Sequence, residues 1–267
     1  MSLDTTKIDQ FLQSVNKDER GLYIQNEFTQ IQSVIFFDRV DGKKSNYNLE
    51  LINRNISYII NESMNLLTVI YRVQWTKNQF DKENITESHY YSFLAADINY
   101  FHVSLRSIFD YLAEIIREIS KNSGQIPHSF NKIQKWLKKD TNNHKRIGKQ
   151  LAGFVLNCKW FQDIRGIRDA IVHQGSKSLI FIDEDKILFQ VINRLEKQLY
   201  VPEIMQNGKT VNFKFYAGIY VSLLFDYLDD FAEIIIDSMD LEIKNKTARN
   251  YHYGLKVFVE WVEKAKP

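Results

Sequence analysis

One cysteine, three prolines and ten glycines are all that 267 residues hold of these types. The lone Cys158 has no second cysteine in the chain to pair with, and it sits inside an apolar pattern. A reducing, cytoplasmic setting is the expected one. Scarce proline and glycine exclude a collagen-like or low-complexity chain and favour long helices over a turn-rich sandwich. Strong charge of one sign is also missing. The net charge is +2, so no global field draws the chain toward nucleic acid, and any electrostatic site must be local. No apolar run approaches the ~20 residues that span a bilayer, and MSLDTTKIDQ lacks the apolar stretch of a signal peptide. No membrane is expected among the partners.

Whole classes of chemistry are absent as motifs. There is no HExxH, no paired CxxC, no P-loop and no GxGxxG, which removes zinc proteases, zinc fingers, nucleotide kinases and Rossmann enzymes. A serine hydrolase would want the G-x-S-x-G elbow, and the chain has none. The acidic turn Asp183-Glu184-Asp185 lacks the spacing of a calcium loop. No metal and no cofactor is expected.

What is present is apolar periodicity. Hydrophobic residues make up 44% of the chain, enough for a sizeable core. Leu94, Ile98, Phe101, Leu105, Ile108, Leu112, Ile115 and Ile119 recur at spacings of four and three, the seam of a long helix packed on other helices. Gly124 and Pro127 close it. A similar stripe runs from Tyr47 to about Phe80. A short basic helix, SFNKIQKWLKKD, precedes a polar break at TNNHK, and a further helix is expected from Ile147 to Val172. The period then changes. SLIFID and KILFQVI flank the acidic turn, and LYVPEIM and KTVNFKF flank Asn207-Gly208, a two-residue hairpin turn. Pro202 places its strand at an edge. Helices resume at about 216–239 and 247–264. The expected fold class is therefore mainly α, an antiparallel helical bundle with a small inserted β-hairpin region at about 178–215 of a domain covering 47–267. Residues 1–46 form an arm whose structure the pattern leaves open, since FTQIQSVIFFDRV fits helix and strand equally.

The segment RGIRDAIVHQGS, 165–176, carries the chemistry. It puts Arg165, Arg168, Asp169 and His173 in the last turns of a helix that stops at Gly175. Asp169 is four residues from both Arg165 and His173 and can touch either. Arg168 and His173 are five apart, about 140° around an ideal helix, so a tight pair is not expected within regular geometry. They can converge if the helix ends before His173, or between two copies of the helix across a two-fold axis. Histidine exchanges protons near neutral pH, and arginine has a fork of donors suited to phosphate oxygens. A proton-transfer group beside a phosphate clamp, without metal ligands, suits transesterification of RNA by its own 2′-OH.

RDAIVHQG resembles the R-x4-6-H signature of HEPN domains, with Arg168, the polar Asp169 after it, and His173. LRSIFDYLAEII (105–116) is similar to the preceding long helix of several HEPN groups. The resemblance implies an all-α homodimer in which two motifs build one cleft. It implies a metal-independent endoribonuclease of toxin–antitoxin or antiphage defence systems, with RNA as substrate and a possible antitoxin or defence partner. Arg168, His173 and Asp169 would be the catalytic set. The alternative in the same family is a non-catalytic RNA-binding or dimerisation module. The plainest reading of Arg165–Asp169–His173 is a surface salt-bridge run with a capping histidine.

Two other groups are candidates. Lys132, Lys135, Lys138, Lys139, Lys145, Arg146 and Lys149, with Trp136 among them, either hold RNA phosphates and stack a base or form a solvated face. Arg165 joins them as an RNA-binding candidate. His102, Arg106 and Asp110 on the long helix either support the motif in one cleft or form an exposed ion-pair ladder.

Overall fold

The longest apolar stripes of the sequence become the two longest helices. A computed structural model describes residues 23–24, 26–40, 45–83, 88–120, 123–173, 178–184, 186–191, 199, 205–206, 209–243, 250–251 and 257–261. Helix α1 covers Asn26–Val40, α2 covers Leu49–Glu83 and α3 covers Ser88–Ile119. Helices α2 and α3 form an antiparallel hairpin packed along most of its length, and every seam residue of α3 named above is buried. Arg72 Nη2 on α2 sits 3.0 Å from Asp97 Oδ1 on α3 and marks which levels of the two helices face each other.

The open question about the N-terminal arm resolves partly as a helix. Phe28, Ile31 and Ile35 are buried at helical spacing. Gln32 Nε2 donates to Ser57 Oγ at 2.7 Å and fixes α1 on α2. Residues 1–22 lie outside the described residues.

Four shorter helices follow: α4 (Phe130–Lys139), α5 (Asn142–Ile147), α6 (Lys149–Asn157) and α7 (Phe161–His173). Two expectations are corrected here. TNNHK is not a break, because most of it lies in α5. The helix expected from Ile147 to Val172 is two helices, interrupted at Cys158–Trp160. A break leaves carbonyls without helical partners, and other elements supply donors for them. Buried Gln134 of α4 donates from Nε2 to the carbonyls of Val155 and Cys158, at 2.9 and 3.0 Å. The kink turns Trp160 and Phe161 inward onto Phe109 of α3, with Phe130 and Tyr227 completing an aromatic cluster. None of those partners is near in sequence, so the apolar period alone reads straight through.

The β insertion forms as a four-stranded antiparallel sheet in the order β2-β3-β5-β4. Strands β2 (Ser178–Asp183) and β3 (Lys186–Val191) pair in register across the acidic turn, with Glu184 in the left-handed region at φ 53°. β4 (Met205–Gln206) pairs with β5 (Thr210–Asn212) as a hairpin, but Gln206 is opposite Thr210, so three residues separate the strands where a two-residue turn is expected. Pro202 and Asn207-Gly208 lie outside the described residues. The second half of KTVNFKF is helix, not strand. Asn212 Oδ1 accepts from Lys214 N and caps α8 (Phe213–Met239), which ends at Asp240 in the left-handed region. A two-stranded pair, β1 (Tyr23–Ile24) with β6 (Asn250–Tyr251), joins distant parts of the chain, and 257–261 is helical. No described helix is long and apolar enough to cross a membrane.

A polar contact ties helix α8 to α7. Tyr220 Oη donates to Asp163 Oδ2 at 2.6 Å. Such bonds to a charged acceptor contribute about 1.5–3 kcal/mol. Tyr220→Phe is therefore expected to lower the unfolding free energy by that amount, seen as a lower urea midpoint with an unchanged slope. An unchanged midpoint would show the bond to be energetically idle.

Candidate functional site

Helix α7 buries Phe161, Ile164, Ile167 and Ala170 and turns the other side outward. That outward side carries the motif. Arg165 Nη2 lies 3.3 Å from Asp169 Oδ2, and Arg168 Nη1 lies 3.4 Å from Asp169 Oδ1. Arg168 Nη1 also lies 2.8 Å from His173 Nε2. Asp169 thus bridges two guanidinium groups, and one of them reaches the imidazole. The side chains of Arg165, Arg168 and Asp169 are a quarter to a third exposed, and His173 is exposed.

The 2.8 Å contact corrects the spacing argument. Residues five apart do pair here, within one chain and without a second copy. His173 is the last residue of α7. Helical side chains lean back toward the N-terminus, so the imidazole folds over the preceding turn and meets the long arginine arm. Asp169 takes the two arginines and not His173, although the four-residue spacing permits either. Arginine has only donors. In the contact Arg168 is therefore the donor and Nε2 the acceptor. Gly175 lies outside the described residues.

The chain just past the motif is pinned by a contact that sequence reasoning missed. Ser178 Oγ donates to Asn99 Oδ1 of α3 at 2.6 Å. The two are 79 residues apart, and neither belongs to a readable motif. Together with Phe161 against Phe109, this contact shows that α7 runs antiparallel to α3. His173 lies at the Asn99 level and Phe161 at the Phe109 level.

That geometry separates the supporting candidates from the motif. The Arg106 guanidinium sits over the Phe161 ring, 5.2 Å from its centroid, and pairs with Asp110 at 2.6 Å. Twelve residues of helix, about 18 Å at 1.5 Å each, separate Phe161 from His173. Arg106 and Asp110 hold the start of α7, not the end that carries His173. His102 is not a cleft residue at all. It is 0% exposed, its Nδ1 is 2.7 Å from the Ile98 carbonyl, and its ring is enclosed by Phe101, Phe189 and Tyr216. Burial pushes its pKa down to about 4, against a small opposing pull from the Ile98 carbonyl. The inserted sheet covers this face of α3, and nothing in the α3 sequence announces that.

The basic segment divides likewise. Lys132, Lys135, Lys138 and Lys139 are exposed on the outer face of α4, opposite buried Phe130, Ile133 and Leu137. Trp136 is half-buried against the core, with its carbonyl accepting from Asn143. Its ring packs against the core and is only partly open to solvent. Lys145, Arg146 and Lys149 line a cleft of about 400 Å³ with Gly148, Ile119 and Ser238. Ile119 is twenty residues along α3 from Asn99, about 30 Å. This cleft is therefore at the opposite end of the bundle from His173, despite its closeness in sequence. Val172, Leu179 and Phe181, which flank the motif in the chain, are exposed apolar side chains. No family model, curated protein or solved structure matches the chain.

Proposed function

We propose that the chain is a metal-independent endoribonuclease of HEPN type, acting as a homodimer in the cytoplasm, with a role in toxin–antitoxin or antiphage defence. The observation that supports this most is the exposed Arg168–His173 pair at 2.8 Å. It joins a donor fork for phosphate oxygens to an imidazole, a side chain suited to proton transfer. In the reaction, a phosphate displaces the imidazole as the partner of Arg168. A freed Nε2 then removes the 2′-OH proton, and the 2′-oxygen attacks phosphorus. The bond to the 5′-oxygen breaks, and that oxygen takes a proton from an imidazolium. The products are a 2′,3′-cyclic phosphate and a 5′-OH. Base and acid are His173 and His173 of the partner subunit, in a cleft the two copies share. Asp169, bridging Arg165 and Arg168, keeps the phosphate clamp aimed. Lys135, Lys138, Lys139, Lys145 and Arg146 offer the rest of the strand a phosphate track, and ~30 Å corresponds to about nine stacked nucleotides.

The test is purified protein incubated with single-stranded RNA in EDTA. Cyclic-phosphate and 5′-OH ends are expected. Intact RNA, or 3′-OH and 5′-phosphate ends, would remove the assignment. A second reading, a non-catalytic RNA-binding or dimerisation module, is favoured by exposed Val172, Leu179 and Phe181 beside the motif. Such apolar surface suits a protein contact. A dimer that binds RNA yet leaves it intact selects this second reading.

A further inference from the structure

A second cleft, of about 310 Å³, lies where α2, the start of α8 and helix 257–261 meet. Its size is at the low end of small-ligand sites, which begin at roughly 300 Å³. Trp75 and Tyr71, one turn apart on α2, are 53% and 40% exposed and form an aromatic wall. A tryptophan left this open is unusual for a residue that is highly buried on average.

The polar groups of the cleft have a fixed order. Trp261 Nε1 has a proton and no lone pair to offer, so it can only donate. It donates to Gln74 Oε1 at 3.1 Å. That settles the orientation of the Gln74 amide, whose Nε2 donates to Asn78 Oδ1 at 2.7 Å. Asn78 therefore presents its NH₂ group as the donor for a ligand. Glu260 adds a carboxylate acceptor, and Lys214 adds a cation.

We propose that this cleft binds a guanine nucleotide, with the base stacked on Trp75 and Tyr71. Guanine O6 accepts from Asn78, the base's N1–H and N2–H donate to the two oxygens of Glu260, and Lys214 meets the phosphate. Among the four bases, guanine alone offers two adjacent N–H donors beside a carbonyl, which is the complement of a carboxylate beside an amide NH₂. The Arg72–Asp97 pair sets this part of α2 level with the α3 segment that holds Ser178. The cleft and His173 thus share one end of the bundle. Binding does not depend on RNA cleavage, because the ligand chemistry is the same for a free nucleotide and for a guanosine in a strand.

Titration calorimetry of the full chain with GMP, AMP, CMP and UMP tests this. GMP is expected to bind at least about tenfold more tightly than the other three. Stacking losses on alanine substitution run from about 5- to 150-fold, so Trp75→Ala should weaken GMP by at least about fivefold. Glu260→Gln should abolish the preference for guanine. Both side chains are exposed, so the variants should fold, and circular dichroism is the check on that. A guanine-containing 2′-deoxy hexanucleotide, which transesterification cannot cut, distinguishes the sources. Tighter binding than GMP indicates a strand, and weaker binding indicates a free nucleotide. Equal affinity for all four nucleotides, or GMP binding unaltered by Trp75→Ala, overturns the assignment whatever the fate of the ribonuclease reading.

Discussion

His173→Ala is expected to lower RNA cleavage in EDTA by about 10²–10⁴-fold, the usual contribution of a positioned proton-transfer group. His173 is exposed at the end of α7, so its truncation should leave folding and oligomeric state unchanged by circular dichroism and sedimentation. The chemistry can be divided further. A uridine 3′-(p-nitrophenyl phosphate) substrate has a leaving group that departs without a proton. In the homodimer the substitution removes base and acid together, so this substrate should recover only the share of the rate that the acid supplies. A loss equal on RNA and on the activated substrate would show that His173 donates no proton to the leaving oxygen. Arg168→Lys offers a contrast at the same site. Lysine keeps the charge but not the two-pronged donor geometry, so the variant should bind RNA while cutting it slowly. Full cleavage by His173→Ala would place the activity elsewhere and remove the role given to the Arg168–His173 contact.

The contact itself shows where sequence reasoning works and where it stops. The turn of helix that ends in His173 was legible because its apolar spacing and polar face are local properties. The partner of His173 was not. An ideal helix places Arg168 about 140° away, and only the end of the helix and the backward lean of its last side chain bring the two together. The α3 seam was legible in the same way, since a long stripe of period 3.5 to 3.6 packs inward whatever covers it. The opposite face of α3 was not. His102, Arg106 and Asp110 share a polar-looking stripe, yet the structure gives them three environments. His102 lies under the sheet, Arg106 lies over Phe161, and Asp110 is about half exposed. Their spacing shows that they lie on one side of a helix. What packs there depends on a sheet whose strands begin about 70 residues later.

The basic segment makes the same point about distance. Lys145 and Arg146 are some twenty residues before the motif in the chain, but at the other end of the bundle. Antiparallel helices turn nearness in sequence into a reversal in space. An RNA strand that used both regions would have to lie along the bundle, so short oligonucleotides should lose the contribution of these cations before they lose cleavage.

His102 supplies the largest expected effect on stability, and its sign follows from burial. Its ordinary pKa of 6.5 falls to about 4 in the folded chain because desolvation penalises the imidazolium. Its Nδ1 lies against the Ile98 carbonyl, and its Nε2 has no partner among the described residues. Carbonyl oxygens accept and do not donate, so the buried ring is neutral with its proton on Nδ1. Above pH 6.5 neither the folded nor the unfolded histidine is protonated, and stability is at its full value. As pH falls from 6.5 toward 4, the unfolded chain takes up the proton and the folded chain does not. Stability then declines and levels off below about 4, where both states are protonated. The interval of about 2.5 pH units corresponds to a loss of about 3 kcal/mol. Asp97 acts in the opposite sense. Burial raises its pKa despite Arg72, so its contribution fades as pH rises. A comparison of variants removes this background. His102→Leu has a similar bulk and no proton to bind, and its urea stability should change less than the native chain's between pH 7.5 and 4, by about 3 kcal/mol. Parallel curves for the two proteins would mean that His102 takes up its proton in place, with water or a rearranged Tyr216 hydroxyl reaching Nε2. The sheet would then be a looser cover for α3 than the packing of Phe189 on the ring describes.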